Sequence, residues 1–98
     1  MSYSDTLRQH ARIAILRFLE DAPKYTSNVS MLTSQLPLIG ISFTRSQVVS
    51  ELAWLKENGM VETEESGTFV IAVATTRGVE IAQGVARHPE IQRPKPGA

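Results

Sequence analysis

The sequence contains no cysteine, so no disulfide can staple the fold and no thiolate zinc site is available, a usage that fits a cytoplasmic protein. It has no apolar run near the ~20 residues a membrane-spanning helix needs. The amino-terminal stretch MSYSDTLRQHAR has no apolar segment behind a basic start, so a secretory signal is not expected. There is also no surplus of positive charge, since 10 Lys and Arg balance 10 Asp and Glu. Dedicated nucleic-acid binders usually carry such a surplus, because neutralising phosphates supplies much of their affinity. Any contact with DNA must therefore come from how the charges are distributed. The two histidines, His10 and His88, are far apart, with no carboxylate or nucleophile at motif spacing, and no glycine-rich phosphate loop is present. The sequence thus shows no catalytic residue, no cofactor or metal site and no small-molecule effector site. It is not expected to be an enzyme.

What is present is a chain of 98 residues, 42% hydrophobic and 20% charged, long enough for one domain with a single modest core. Residues Asp5 to Asp21 carry Leu7, Ala11, Ala14, Ile15, Phe18 and Leu19 at helical spacing, with Ser4 or Asp5 as N-cap and Pro23 as the stop. Lys24 to Thr26 suit a short extended segment able to pair with a later hairpin. Ser27 or Asn28 then caps a short second helix with Val29, Leu32 and Leu36 facing inward, broken by Pro37 and Gly40. The linker from Pro37 to Phe43 is apolar (Leu38, Ile39, Ile41, Phe43) and is expected to pack down.

A third helix is expected over Thr44–Asn58, starting at Thr44 or Ser46 and closed by Asn58-Gly59, a left-handed C-cap signal. Met60–Glu65 and Thr68–Ala74 form a hairpin turning at Ser66-Gly67, with β-branched Val70, Ile71 and Val73 in the second strand. Thr75 or Thr76 caps a last helix reaching about Val85. The segment from Arg87 onward, RHPEIQRPKPGA, is proline-rich and polar, and is expected to be flexible or loosely docked. The expected organisation is a domain over residues 1–86 and a tail over 87–98.

The run from Ser46 to Val61, SQVVSELAWLKENGMV, resembles the recognition-helix-to-wing segment of bacterial regulators of the ArsR and MarR type. In those proteins a leucine stands four residues before a glycine and an apolar pair opens the wing. Thr76-Arg77-Gly78 followed by Val79-Glu80-Ile81-Ala82 is similar to the start of their helix after the wing. The overall size and the tail also resemble small proteins of Mu-like prophages. The resemblance covers the chain to about Ala86. It implies an α+β, mainly α, winged helix-turn-helix with a three-helix core, a β-wing of two to three strands and a C-terminal helix. It further implies a transcriptional regulator that binds double-stranded DNA as a homodimer, pairing through its first and last helices (Ile13, Leu16, Ile81, Val85) on half-sites ~34 Å apart.

On the third helix, Val48, Leu52 and Leu55 share one side, while Ser46, Gln47, Ser50, Ala53, Trp54 and Glu57 lie opposite. In a helix-turn-helix that outward side enters the major groove. Gln47 suits a bidentate contact to adenine, Ser46 and Ser50 suit bases or phosphates, and Arg45 suits a phosphate or guanine. Trp54 is either an exposed anchor or a ring folded against the wing or the Pro37–Phe43 linker. The DNA-contacting set is thus Arg45, Ser46, Gln47, Ser50 and Trp54. Two features oppose it: Ser50 is followed by Glu51 where related regulators carry a base, and the wing reads Glu62-Thr63-Glu64-Glu65, which phosphates would repel. Positive charge gathers instead on Arg8, Arg12 and Arg17 of the first helix and on Arg87, Arg93 and Lys95 of the tail. The alternative function is a protein-interaction module without specific DNA binding.

Overall fold

The computed structural model describes residues 2–94. Its first helix, α1 (Tyr3–Asp21), begins two residues earlier than the apolar pattern suggests, because Ser2 is the N-cap. The Asp5 backbone N–H donates to Ser2 Oγ at 3.1 Å and the Ser2 N–H donates back to the Asp5 carboxylate, closing a capping box. This bonding to Ser2, first its side chain and then its backbone, holds the Asp5 carboxyl below the usual carboxylate range. Ala22 ends the helix in an extended conformation just before Pro23.

Between Pro23 and Tyr25 the chain makes a 3-10 turn in which Lys24 and Tyr25 adopt φ of 56° and 55°. The extended segment expected at Lys24 therefore starts only at Thr26, as β1 (Thr26–Asn28). Asn28 then caps α2 (Val29–Gln35) by accepting from the Met31 N–H at 2.8 Å. A second 3-10 turn, Leu36–Ile39, ends at Gly40 in the left-handed conformation. The linker packs down only in part: Ile41 and Phe43 are buried, but Leu38 and Ile39 stand in solvent.

Helix α3 (Arg45–Glu57) is framed by Thr44 as N-cap and by Asn58, with Gly59 at φ 74° supplying the left-handed exit that a side chain would resist. The hairpin follows as β2 (Val61–Ser66) and β3 (Phe69–Ala74), with Ser66 opposite Phe69 and the turn on Gly67-Thr68. Strand β1 adds to the other edge of β3, Ser27 opposite Ala72, giving an antiparallel sheet ordered β1-β3-β2. Thr75 caps α4 (Thr76–Ala82), which stops three residues short of Val85; Gly84 turns the chain away at φ 79° and leaves Val85 exposed.

The result is an α+β chain with four α-helices and one three-stranded sheet among the described residues. Its core forms where Ile15, Leu16 and Leu19 of α1 meet Val29, Leu32 and Leu36, then Val48, Leu52 and Leu55 of α3. Met60, Val61, Ala72, Val79 and Ile81 close it from the sheet and α4. Fully burying each large aliphatic chain contributes roughly 1.5–3 kcal/mol. Leu16 and Ile81, expected as shared dimer positions, are spent on this core instead, while Ile13, at 7% exposed, reaches its outer edge.

The segment after α4 is held as far as it is described. Ile91 is only 6% exposed, the Gln92 N–H donates to the Gln9 carbonyl at 3.2 Å, and the Arg12 guanidinium donates to the Glu90 carbonyl at 2.9 Å. A single apolar residue in a polar stretch, with these two hydrogen bonds, docks the segment there. Lys95 and the residues after it lie outside the described part. Ile91→Ala is therefore expected to lower stability by about 2–3 kcal/mol in urea denaturation. An unchanged midpoint would mean that residues 88–92 are not held against α1.

Candidate functional site

The α3 face that points to solvent is built by the helix's own periodicity. With Val48, Leu52 and Leu55 fixed inward, Arg45, Ser46, Gln47, Val49, Ser50, Ala53, Lys56 and Glu57 are left exposed. Small side chains (Ser46, Ser50, Ala53) share its middle with Glu57 at the carboxyl-terminal end. Two cations, Arg45 and Lys56, stand on one edge, and Glu57 is the one carboxylate on the face.

Four of the five residues expected to contact DNA share this face. Gln47 has a structural duty there: the Thr44 N–H donates to Gln47 Oε1 at 2.8 Å while the Gln47 N–H donates to Thr44 Oγ1 at 3.2 Å. A bidentate contact to adenine would need that oxygen released from the cap. Arg45 donates from Nη2 to the Thr68 carbonyl at 2.6 Å, which ties the start of α3 to the turn of the hairpin.

Trp54 is not on that face. It is half-buried, turned toward α1 and the tail rather than toward the hairpin or the Pro37–Phe43 linker. The guanidinium carbon of Arg12 lies 3.9 Å from the centroid of its ring, and His88 meets the ring edge-on at 5.1 Å. Glu51, one turn earlier on the same side of α3, accepts from Arg12 Nε at 2.7 Å, with both side chains 6% exposed. Arg8 approaches the other carboxylate oxygen at 4.0 Å. The guanidinium of Arg12 thus joins α1, α3 and the tail at one buried point. Arg12 is no part of a basic outer surface, and the Ser50-Glu51 pair is less acidic outside than it looks in sequence.

Sequence reasoning missed this assembly because Arg12 and Glu51 are 39 positions apart and each looks like a surface residue. One signal was available. Arg12 falls inside the buried run Ala11–Leu16, and Glu51 falls between Val48 and Leu52 on the inward side of α3. A charge at a core position requires a partner.

The hairpin behaves as its sequence indicates. Glu62, Glu64 and Glu65 are all exposed, so β2 presents an acidic surface. Among the described residues no group of acids, histidines or cysteines could hold a metal ion, and no helix is long and apolar enough to cross a membrane.

No family model and no solved structure matches the chain. It is 34% identical over 95 residues to gp26 of Escherichia phage Mu, an uncharacterized protein, covering 97% of this chain and 98% of that one. It is also 32% identical over 78 residues to an uncharacterized protein of Haemophilus influenzae, covering 79% of this chain and 76% of that one. The extent of the first match, nearly end to end in both proteins, places this phage-related chain in the family of phage Mu gp26.

Proposed function

We propose that the chain is a winged-helix protein that binds double-stranded DNA through the exposed face of α3 and acts as a transcriptional regulator. The observation that carries this reading is that face itself. Ser46, Ser50 and Ala53 keep the middle low over the first turns, so that end of the helix can enter a groove about 12 Å wide, while Arg45 and Lys56 stand at the edge where phosphates run and Glu57 lies at the far end. The order of elements supports it, with α2 and α3 packed in sequence, the hairpin after them and β1 added to its far edge. Neutralisation of the inward Glu51 by Arg12 weakens one of the two electrostatic objections, although Ser50 still supplies no cation.

The other objection stands, and it favours a second reading. The exposed Glu62, Glu64 and Glu65 would be repelled by a DNA backbone, so a protein-interaction module that keeps the fold without the DNA contact is the alternative.

Fluorescence anisotropy against a random pool of duplex DNA across a salt series tests the first reading. Binding that weakens steeply with salt is the expected result. The informative variant is Gln47→Glu. It keeps the capping oxygen and adds a charge that the start of a helix tolerates well, so folding is expected to be unaffected. It also sets a carboxylate on the proposed DNA face, and affinity is expected to fall roughly tenfold or more. Absence of binding at low salt, or equal affinity of Gln47→Glu and the parent, would favour the interaction module.

A further inference from the structure

A shallow groove of about 740 Å³ runs along the outer side of α1. Its floor is one stripe of that helix: Tyr3, Leu7, His10, Ala14, Phe18 and Asp21, residues three or four apart that fall on a single face. Ile39 and Ile41 form one wall and Pro94 belongs to the other. Tyr3, 82% exposed, stands up out of one end, and Ile39 is 54% exposed beside the stripe.

We propose that this groove is the contact surface for a second copy of the same chain, with the two α1 helices packed antiparallel about a two-fold axis. The argument is self-complementarity. A two-fold contact must pair residues placed symmetrically about one midpoint of the helix. Here Tyr3 pairs with Asp21 of the second copy, Leu7 with Phe18, and His10 with Ala14, each pair equidistant, within one residue, from the same point of α1. Large meets large in the flanking layer, and small Ala14 lies opposite the half-buried His10 near the axis.

The charge at the end of α1 agrees with this arrangement, Arg17 and Arg93 being the cations that also line the groove. Asp21 ends α1 at the pole where a carboxylate is disfavoured, and no basic residue occupies that last turn. Antiparallel packing carries Asp21 to the amino-terminal pole of the other α1, where a negative charge is favoured and the Tyr3 hydroxyl can donate to it. The projecting Tyr3 ring fills the far end of the second copy's groove, and the reverse holds at the other end. A contact along the ~28 Å of α1, widened by its walls, has the length that an interface of ~800 Å² per partner requires. Of the residues expected to pair from sequence, this surface takes in Ile13 but not Leu16, Ile81 or Val85, and it is independent of what α3 binds.

Sedimentation equilibrium on the full chain is the test. At protomer concentrations of about 100 µM a mass of twice the 10.8 kDa chain is expected. Tyr3→Glu places a carboxylate against Asp21 of the second copy and is expected to raise the dissociation constant roughly tenfold or more. Both positions are exposed, so thermal melts of dilute protein should not move. Adding Asp21→Lys to Tyr3→Glu is expected to restore the dimer. A monomeric parent chain would overturn the proposal. So would a dimer that Tyr3→Glu leaves intact, or one that the added Asp21→Lys fails to restore.

Discussion

Glu51→Ala is expected to lower the stability of the chain by about 3–5 kcal/mol, a large share of the ~5–15 kcal/mol that holds a small domain together. The carboxylate it removes is the counter-charge of Arg12, whose side chain is 6% exposed. What remains is a guanidinium still donating to the Glu90 carbonyl and still stacked on Trp54, but with its charge uncompensated among apolar neighbours. The stacking offsets up to ~2 kcal/mol when desolvated, which is less than the loss. Arg12→Lys is expected to fail nearly as badly, because an ammonium cannot serve Glu51, the Glu90 carbonyl and the flat indole face at once. The double replacement Arg12→Met with Glu51→Leu should recover most of the stability, since a buried ion pair contributes little over an apolar pair of similar volume. Urea denaturation of the three variants separates these cases. If Glu51→Ala melted within about 1 kcal/mol of the parent, the pair would be solvated and the joint between α1, α3 and the tail would not exist.

The parts of this fold that sequence discloses are those set by neighbours along the chain. Asn58-Gly59 closes α3 where its spacing indicated, and Thr44 and Thr75, each one of two candidate caps, are the ones used, with partners within a turn. The hairpin was legible as well, but its turn falls on Gly67-Thr68, one residue later than the expected Ser66-Gly67, because Ser66 still pairs with Phe69. What stayed hidden depends on distant partners or on local strain. Lys24 and Tyr25 take a left-handed backbone that neither residue advertises, which shifts β1 by two positions. The tail docks through the buried Ile91 and through hydrogen bonds from Gln92 to Gln9 and from Arg12 to Glu90, partners that lie far away in sequence. Trp54 faced outward on a helical projection, and only the arrival of Arg12 and His88 makes its side of α3 an inside. The α3 face was legible to the extent that it is defined by what the core leaves over; its charge was not, because Glu51 is cancelled by a residue on another helix.

Gly78→Ala carries the second large effect, and its sign decides between two opposed contributions. Gly78 lies inside the first turn of α4, where alanine is favoured over glycine by about 0.5–1 kcal/mol from backbone entropy alone. Against this, a Cβ at Gly78 would lie 2.1 Å from the Met60 carbonyl oxygen and 3.3 Å from the Leu16 side chain. That carbonyl cannot move aside cheaply. It accepts from the Thr75 N–H at 3.0 Å, the Met60 N–H donates to the Leu55 carbonyl at 2.9 Å, and the Thr75 hydroxyl donates to the Gly59 carbonyl at 2.7 Å. The end of α3 and the start of α4 are thus clamped backbone to backbone, and this is why glycine follows the threonines here. Opening the contact by the ångström or so a methyl group needs breaks one of these bonds or pries α4 from the core, at about 3 kcal/mol or more after the entropic gain is subtracted. For a domain of this size that is a drop of roughly 15 °C in melting temperature. Gly67→Ala makes the comparison informative. At that position, φ is 62° with nothing within 4 Å, so only the left-handed backbone resists a side chain, at about 1 kcal/mol. If Gly78→Ala were the milder of the two, or raised the melting temperature, helix propensity would outweigh contact, and α4 could not sit as close to the end of α3 as it does.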